Sequence, residues 1–140
     1  MKKSLLLPLT LLILSVHQGM AKELPNVLIM GDSISIGYSP YVIENLKGVA
    51  EVRRHKGNAG PTIRGVAGIE EWLGKEKWDL IHFNFGLHDI KHIDPHTGKN
   101  SKSFDDPHQA SPNQYEKNLN LIVKKLKNTR AKLIFASTTP

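Results

Sequence analysis

Val27, Leu28, Ile29 and Met30 form an apolar run with no polar interruption, and the run stops at Gly31. A strand covered on one face alone would alternate. Four consecutive apolar residues therefore predict a strand buried on both faces, as in a parallel sheet with helices on either side. Gly31 allows the backbone to turn sharply, and Asp32, Ser33 and Ser35 carry short polar side chains that favour a turn. Ser39 and Pro40 then read as the N-cap and first-turn proline of a helix through Tyr41, Val42 and Leu46, closed by Gly48. Ser33 is thereby placed at the carboxyl end of a strand, close to a helix start. That edge is where open α/β sheets bind ligands, and a serine there is positioned as a nucleophile.

The pattern repeats along the chain. Val49 to Arg54 has the β-branched content of a second strand, with Val49 and Val52 as its buried positions, and Gly57, Gly60 and Pro61 break it. Arg64 to Leu73 reads as a helix with Ile69, Trp72 and Leu73 inward, ending at Gly74. Trp78 to Phe85 restores a strand. From Leu87 to Ala110 no period holds, which predicts a long polar loop of the kind that is functional or disordered. Ser111, Pro112 and Gln114 combine a serine N-cap, a first-position proline and a capping-box glutamine. The helix that follows carries Tyr115, Leu119, Ile122, Val123 and Leu126 as one stripe. Leu133 to Ala136 is a fourth strand. Strands alternating with crossover helices predict a three-layer α/β/α sandwich on a parallel sheet.

Composition narrows the function classes. With 39% hydrophobic and 23% charged residues, the 140-residue chain fits one globular domain. Residues 1–21 read as a signal peptide: Met1-Lys2-Lys3 is a basic start, Leu5 to Val16 an apolar segment, and Gly19-Met20-Ala21 a cleavage site. Twelve residues broken by Pro8 fall short of the roughly 20 needed to span a bilayer, so no stable membrane insertion is expected after cleavage. The expected location is secreted or periplasmic, with residues 22–140 as the domain. Two of the six excess positive charges, Lys2 and Lys3, lie in the leader, and the remainder (Arg53 and Arg54 among them) are scattered without interleaved aromatics. They read as mostly solvated faces, and no nucleic-acid partner is expected. The absence of cysteine excludes disulfides and thiol chemistry.

Gly31-Asp32-Ser33-Ile34-Ser35 resembles the first motif block of the SGNH, or GDSL, hydrolases. Asn58-Ala59-Gly60-Pro61-Thr62 is similar to the second block, and Gly86-Leu87-His88-Asp89 to the third, Gly-x-Asn-Asp, with His88 in place of the asparagine. The three blocks follow three successive strands, and the likeness runs from Asn26 to Pro140. It implies a flavodoxin-like sandwich and serine-dependent ester hydrolysis through an acyl-enzyme, without cofactor or metal. The substrate so implied is a small-molecule or glycan ester, with acetyl or other short acyl groups on a carbohydrate favoured. Ser33 would be the nucleophile, and the N–H groups of Ser33 and Gly60 together with His88 would form the oxyanion hole. Asp32, Asn58 and Asp89 would support them, and Gly65 is a lesser alternative to Gly60. Histidine can donate to an oxyanion as asparagine does, given the right tautomer or a proton.

In that family the catalytic histidine and its aspartate lie in an Asp-x-x-His motif beyond a fifth strand. The chain is accordingly expected to be incomplete at its C-terminus, lacking the last strand and helix. Two local matches, Asp89-Ile90-Lys91-His92 and Asp105-Asp106-Pro107-His108, fall instead between the third strand and the next helix. A non-catalytic glycan-binding module is the alternative reading. A metal-dependent hydrolase using His88, His92, Asp94, His96 and His108 is a lesser one. Cells carrying the full reading frame are expected to export a protein that begins at Lys22. N-terminal sequencing that finds intact Met1 in the exported fraction would overturn this.

Overall fold

The computed structural model describes residues 23–138, so the leader and its cleavage site lie outside the described residues. Strands β1 (Asn26–Met30), β2 (Glu51–Arg54), β3 (Leu80–Phe83) and β4 (Lys132–Phe135) form one parallel sheet in the order β2-β1-β3-β4. Helices α1 (Ser33–Asn45), α2 (Thr62–Leu73) and α3 (Pro112–Asn128) supply the crossovers. The apolar run predicted for β1 sits where it should, in the interior of the sheet between β2 and β3. Its Leu28, Ile29 and Met30 are all buried.

Successive strand residues face opposite ways, so each strand divides its side chains between two layers. Leu28, Met30, Ile81 and Phe83 point into the main core, where they meet Ile69 and Leu73 of α2, Ile122 and Leu126 of α3, and Phe85. Each of these side chains, fully buried, contributes about 1.5–3 kcal/mol. The opposite face carries Ile29 and His82, and α1 lies there against β1 and β2. Three layers result, as expected.

Three local expectations are corrected. α1 begins at Ser33, not at Ser39, because Asp32 is its N-cap: Asp32 Oδ1 accepts from the Ile34 N–H at 2.9 Å. Ser35 and Ser39 form its buried face and satisfy their hydroxyls locally, Ser35 Oγ on the Asp32 carbonyl at 2.7 Å and Ser39 Oγ on the Ser35 carbonyl. Pro40 is then inside the helix, where it withholds one N–H from the ladder. Val49 is 61% exposed because β2 starts only at Glu51, after a turn in which the Val49 and Ala50 N–H groups both bond back to the Leu46 carbonyl. In α3, Ser111 caps as expected, accepting from the Gln114 N–H at 3.2 Å, but the Gln114 side chain donates forward to Asn118 instead of back to the cap.

Residues 87–110 are folded as an irregular hairpin rather than an open loop. The Ile93 N–H donates to Pro107, Ser101 to His92 and Gln109 to Lys91, with His92 bridged to His108.

Gly65 sits in α2 where a β-carbon would lie 2.7 Å from the Phe85 ring and from Ile122 Cδ1. Replacing glycine by alanine within a helix gains about 1 kcal/mol of propensity. Here the overpacking cost of about 1–3 kcal/mol is set against it, and both neighbours are buried and unable to retreat. Gly65→Ala is therefore expected to destabilise the fold by about 1 kcal/mol, read as a lower urea midpoint with unchanged slope. A rise in the midpoint would contradict this packing.

Candidate active site

Ser33 is the first residue of α1 and is exposed at the carboxyl edge of β1. Its N–H is one of the first-turn donors that have no partner within the helix, and it lies at the positive end of the helix dipole. Asp32, buried beneath it, uses Oδ1 on the Ile34 N–H and turns Oδ2 toward His88, whose Nε2 lies 4.0 Å away. The first and third sequence blocks are thus brought face to face.

The second block reaches the same edge by a different route. Gly60 has φ +62°, a conformation that favours glycine, and its N–H donates to Asn58 Oδ1 at 2.8 Å. Gly60 can act on an oxyanion only by exchanging that partner. Gly65, the alternative, lies inside α2, and its N–H is committed to the Pro61 carbonyl at 3.2 Å. Asp89 is fully buried and accepts from Thr62, from the N–H at 3.0 Å to each oxygen and from Oγ1 at 2.6 Å. Asn118 Nδ2 completes the group by donating to Thr62 Oγ1 at 3.1 Å. Asp89 therefore caps α2, the helix that follows Gly60.

Two residues that the sequence left among solvated or unremarked positions prove central. Arg54, at the end of β2, donates from Nε to Ser35 Oγ at 2.9 Å and from its two terminal nitrogens to the carbonyls of His55, Gly57, Gly31 and Asp32. His55 is buried, tilts against Trp72 with ring centroids 4.5 Å apart, and places Nε2 3.2 Å from the Gly31 N. Its Nδ1 lies 2.9 Å from the Lys56 carbonyl and its Nε2 3.0 Å from the Gly31 carbonyl, so the ring bridges Gly31 and Lys56. A polar pair directly before a glycine loop was the available signal.

A cavity of about 430 Å³ opens at the same edge, lined by Asp32, Ile34, Tyr38, His82, Asn84 and Leu87 among others; Ser33 itself is not in its lining, though its chain neighbours Asp32 and Ile34 are. That is large enough for a small ligand. His92 and His108 stand apart from this arrangement. Their rings stack on each other, with centroids 4.5 Å apart, and their Nδ1 atoms are held by the Asp106 and Ile90 carbonyls. Asp89, the nominal partner of His92, is occupied by Thr62. Among the described residues no three histidine, aspartate or glutamate side chains gather as a metal-ligand set, so the metal-dependent reading acquires no site. Nor, among them, is any helix long and apolar enough to cross a membrane.

Solved structures share this fold. The chain superposes on an acetyl xylan esterase, AlAXEase, with a TM-score of 0.61 and 18% identity, covering 79% of this chain and 56% of that one. For TesA the values are 0.58, 20%, 79% and 58%. For a GDSL-like lipase from Bacteroides thetaiotaomicron they are 0.55, 14%, 79% and 47%. The chain thus spans about half the length of the structures it matches. No protein-family profile and no curated protein matches its sequence.

Burial lowers the pKa of His55, the carbonyls of Gly31 and Lys56 beside its ring nitrogens oppose that, and the nearby Arg54 charge adds to the lowering. A histidine with a folded pKa below its unfolded value binds fewer protons folded than unfolded, so its contribution to stability is lost as the pH falls through the ordinary histidine range. His82, lowered by burial as well, acts with the same sign. Urea unfolding of the wild type at about pH 8 and about pH 5.5 is expected to show lower stability in acid, with a smaller difference in His55→Gln. Equal pH dependence in the two proteins would remove His55 from this role.

Proposed function

We propose that this protein is a serine ester hydrolase that removes acetyl or other short acyl groups from a carbohydrate after export. The observation that carries the reading is Ser33 itself, exposed at the N-terminus of α1 on the carboxyl edge of β1. The loops after β2 and β3 deliver Gly60 and His88 to the same edge. Solved esterases and a lipase of the same fold support the reaction class.

In this mechanism Ser33 Oγ attacks the ester carbonyl and gives up its proton to a base. The charge that develops on the carbonyl oxygen is met by the Ser33 N–H, by the Gly60 N–H once it leaves Asn58, and by His88. Collapse of the tetrahedral intermediate expels the alcohol and leaves an acyl-enzyme, which water then hydrolyses. In this reading the base comes from the Asp-x-x-His motif that the family resemblance implies, because His92 and His108 pair with each other in the hairpin. The acyl group enters the cavity beside Ile34 and Leu87. A glycan-binding module without catalysis is the second reading, favoured by one observation, that the Gly60 N–H is already engaged by Asn58.

Hydrolysis of an activated acetyl ester, together with labelling by a serine-directed fluorophosphonate, separates the two. Residues 22–140 alone are expected to be nearly inactive, with Ser33→Ala changing the residual rate little; in a version that also carries the Asp-x-x-His segment, Ser33→Ala is expected to abolish both. His88→Ala should lower kcat by about 10²–10³, the cost of one oxyanion donor, whereas His88→Asn should retain most of the rate. Equal and complete loss in the two His88 variants would instead make His88 the base. Persistence of both readouts in Ser33→Ala of that version would overturn the assignment.

A further inference from the structure

We infer that Arg54 is a positioning residue that sets the spacing between the two backbone N–H donors of the oxyanion site. This rests on the reading of Ser33 and Gly60 given above. One guanidinium reaches three separate segments: the β1–α1 turn through the Gly31 and Asp32 carbonyls, the first turn of α1 through Ser35 Oγ, and the β2–α2 loop through the carbonyls of His55 and Gly57. The shortest of these bonds, 2.6 Å, go to His55 and Gly57.

The peptide plane makes the consequence specific. C=O and N–H of one trans peptide point in opposite directions. Drawing the Asp32 carbonyl toward Arg54 and Ser35 therefore turns the Ser33 N–H away from them, outward from the start of α1. The same cation holds Gly57, three residues before Gly60. The Ser33 N–H and the Gly60 N–H belong to different segments, and Arg54 is hydrogen-bonded to both of those segments. Arginine suits this task because its planar fork offers five N–H directions at fixed angles, whereas a lysine ammonium is a point charge. Asn58 and Arg54 divide the work: Asn58 holds the Gly60 N–H locally, and Arg54 holds the loop that carries it.

Arg54→Lys and Arg54→Gln in the purified protein test the assignment by two readouts. The first is ester hydrolysis, in the version that also carries the Asp-x-x-His segment. Loss of positioning should lower kcat by about 10–100-fold in both variants, with KM within about threefold, since small misplacements of catalytic groups are that costly. Guanidinium ion should restore part of the rate to Arg54→Ala. A near-normal rate in Arg54→Lys with a large loss in Arg54→Gln would overturn positioning in favour of a through-space charge effect. The second readout needs no activity: amide hydrogen exchange should quicken at Gly31–Ser35 and at Gly57–Gly60 together, while β3 and α3 keep wild-type protection. Unchanged exchange in the two loops overturns the proposal. Global loss of protection in all variants, without rescue by guanidinium, likewise overturns it in favour of a merely structural role. Should Ser33→Ala leave hydrolysis intact, the Ser33 reading falls alone, and the exchange measurement still decides Arg54.

Discussion

The buried carboxylate of Asp89 holds the site's architecture in place. A carboxylate removed from water is costly unless hydrogen bonds replace its hydration. Here Thr62 supplies them from its backbone N–H and its hydroxyl, at the first residue of α2, where the helix dipole also favours negative charge. The hydroxyl of Thr62 in turn accepts from Asn118 of α3. One buried group thereby fastens the loop after β3, the start of α2 and the middle of α3.

A second polar anchor works on the other side of Ser33. Arg54 joins the turn after β1 to the loop after β2, and His55 sits against the N–H and carbonyl of Gly31. The two anchors differ in character. Asp89 acts on a helix terminus and is sealed from solvent, whereas Arg54 acts on carbonyls and is partly open, so the turn after β1 is the more accessible of the two junctions. Asp32 and His88 lie 4.0 Å apart, longer than a hydrogen bond.

Helix α1 shows why local polarity can hide a helix. Its buried residues are Ser35 and Ser39, not apolar side chains at helical spacing. Serine usually competes with the helical backbone, but here both hydroxyls bond to carbonyls within or just before the helix and so can be buried without loss. Small side chains let α1 lie close to β1 and β2, which brings Ser33 to the sheet edge. The hairpin of residues 87–110 is the converse: its order comes from backbone bonds between distant residues, for which the sequence carries no period.

The sequence by itself determined the parallel α/β sandwich, the three loops at its carboxyl edge and the placing of Ser33, Gly60 and His88 on them. That much is legible because burial on both faces leaves an unbroken apolar run, because glycine at a strand end marks a turn, and because the α3 stripe and its Ser111-Pro112 start obey local rules. The reach of Arg54, the burial of His55 and the pairing of Asp89 with Thr62 were decided only by the tertiary structure. Each depends on a partner distant in the chain or a neighbouring element: Arg54 on Gly31 and Asp32, His55 on Gly31, Asp89 on Thr62. A charged side chain looks the same in sequence whether it ends in water or in a cage of carbonyls, and only the packing of β2 against β1 makes that difference.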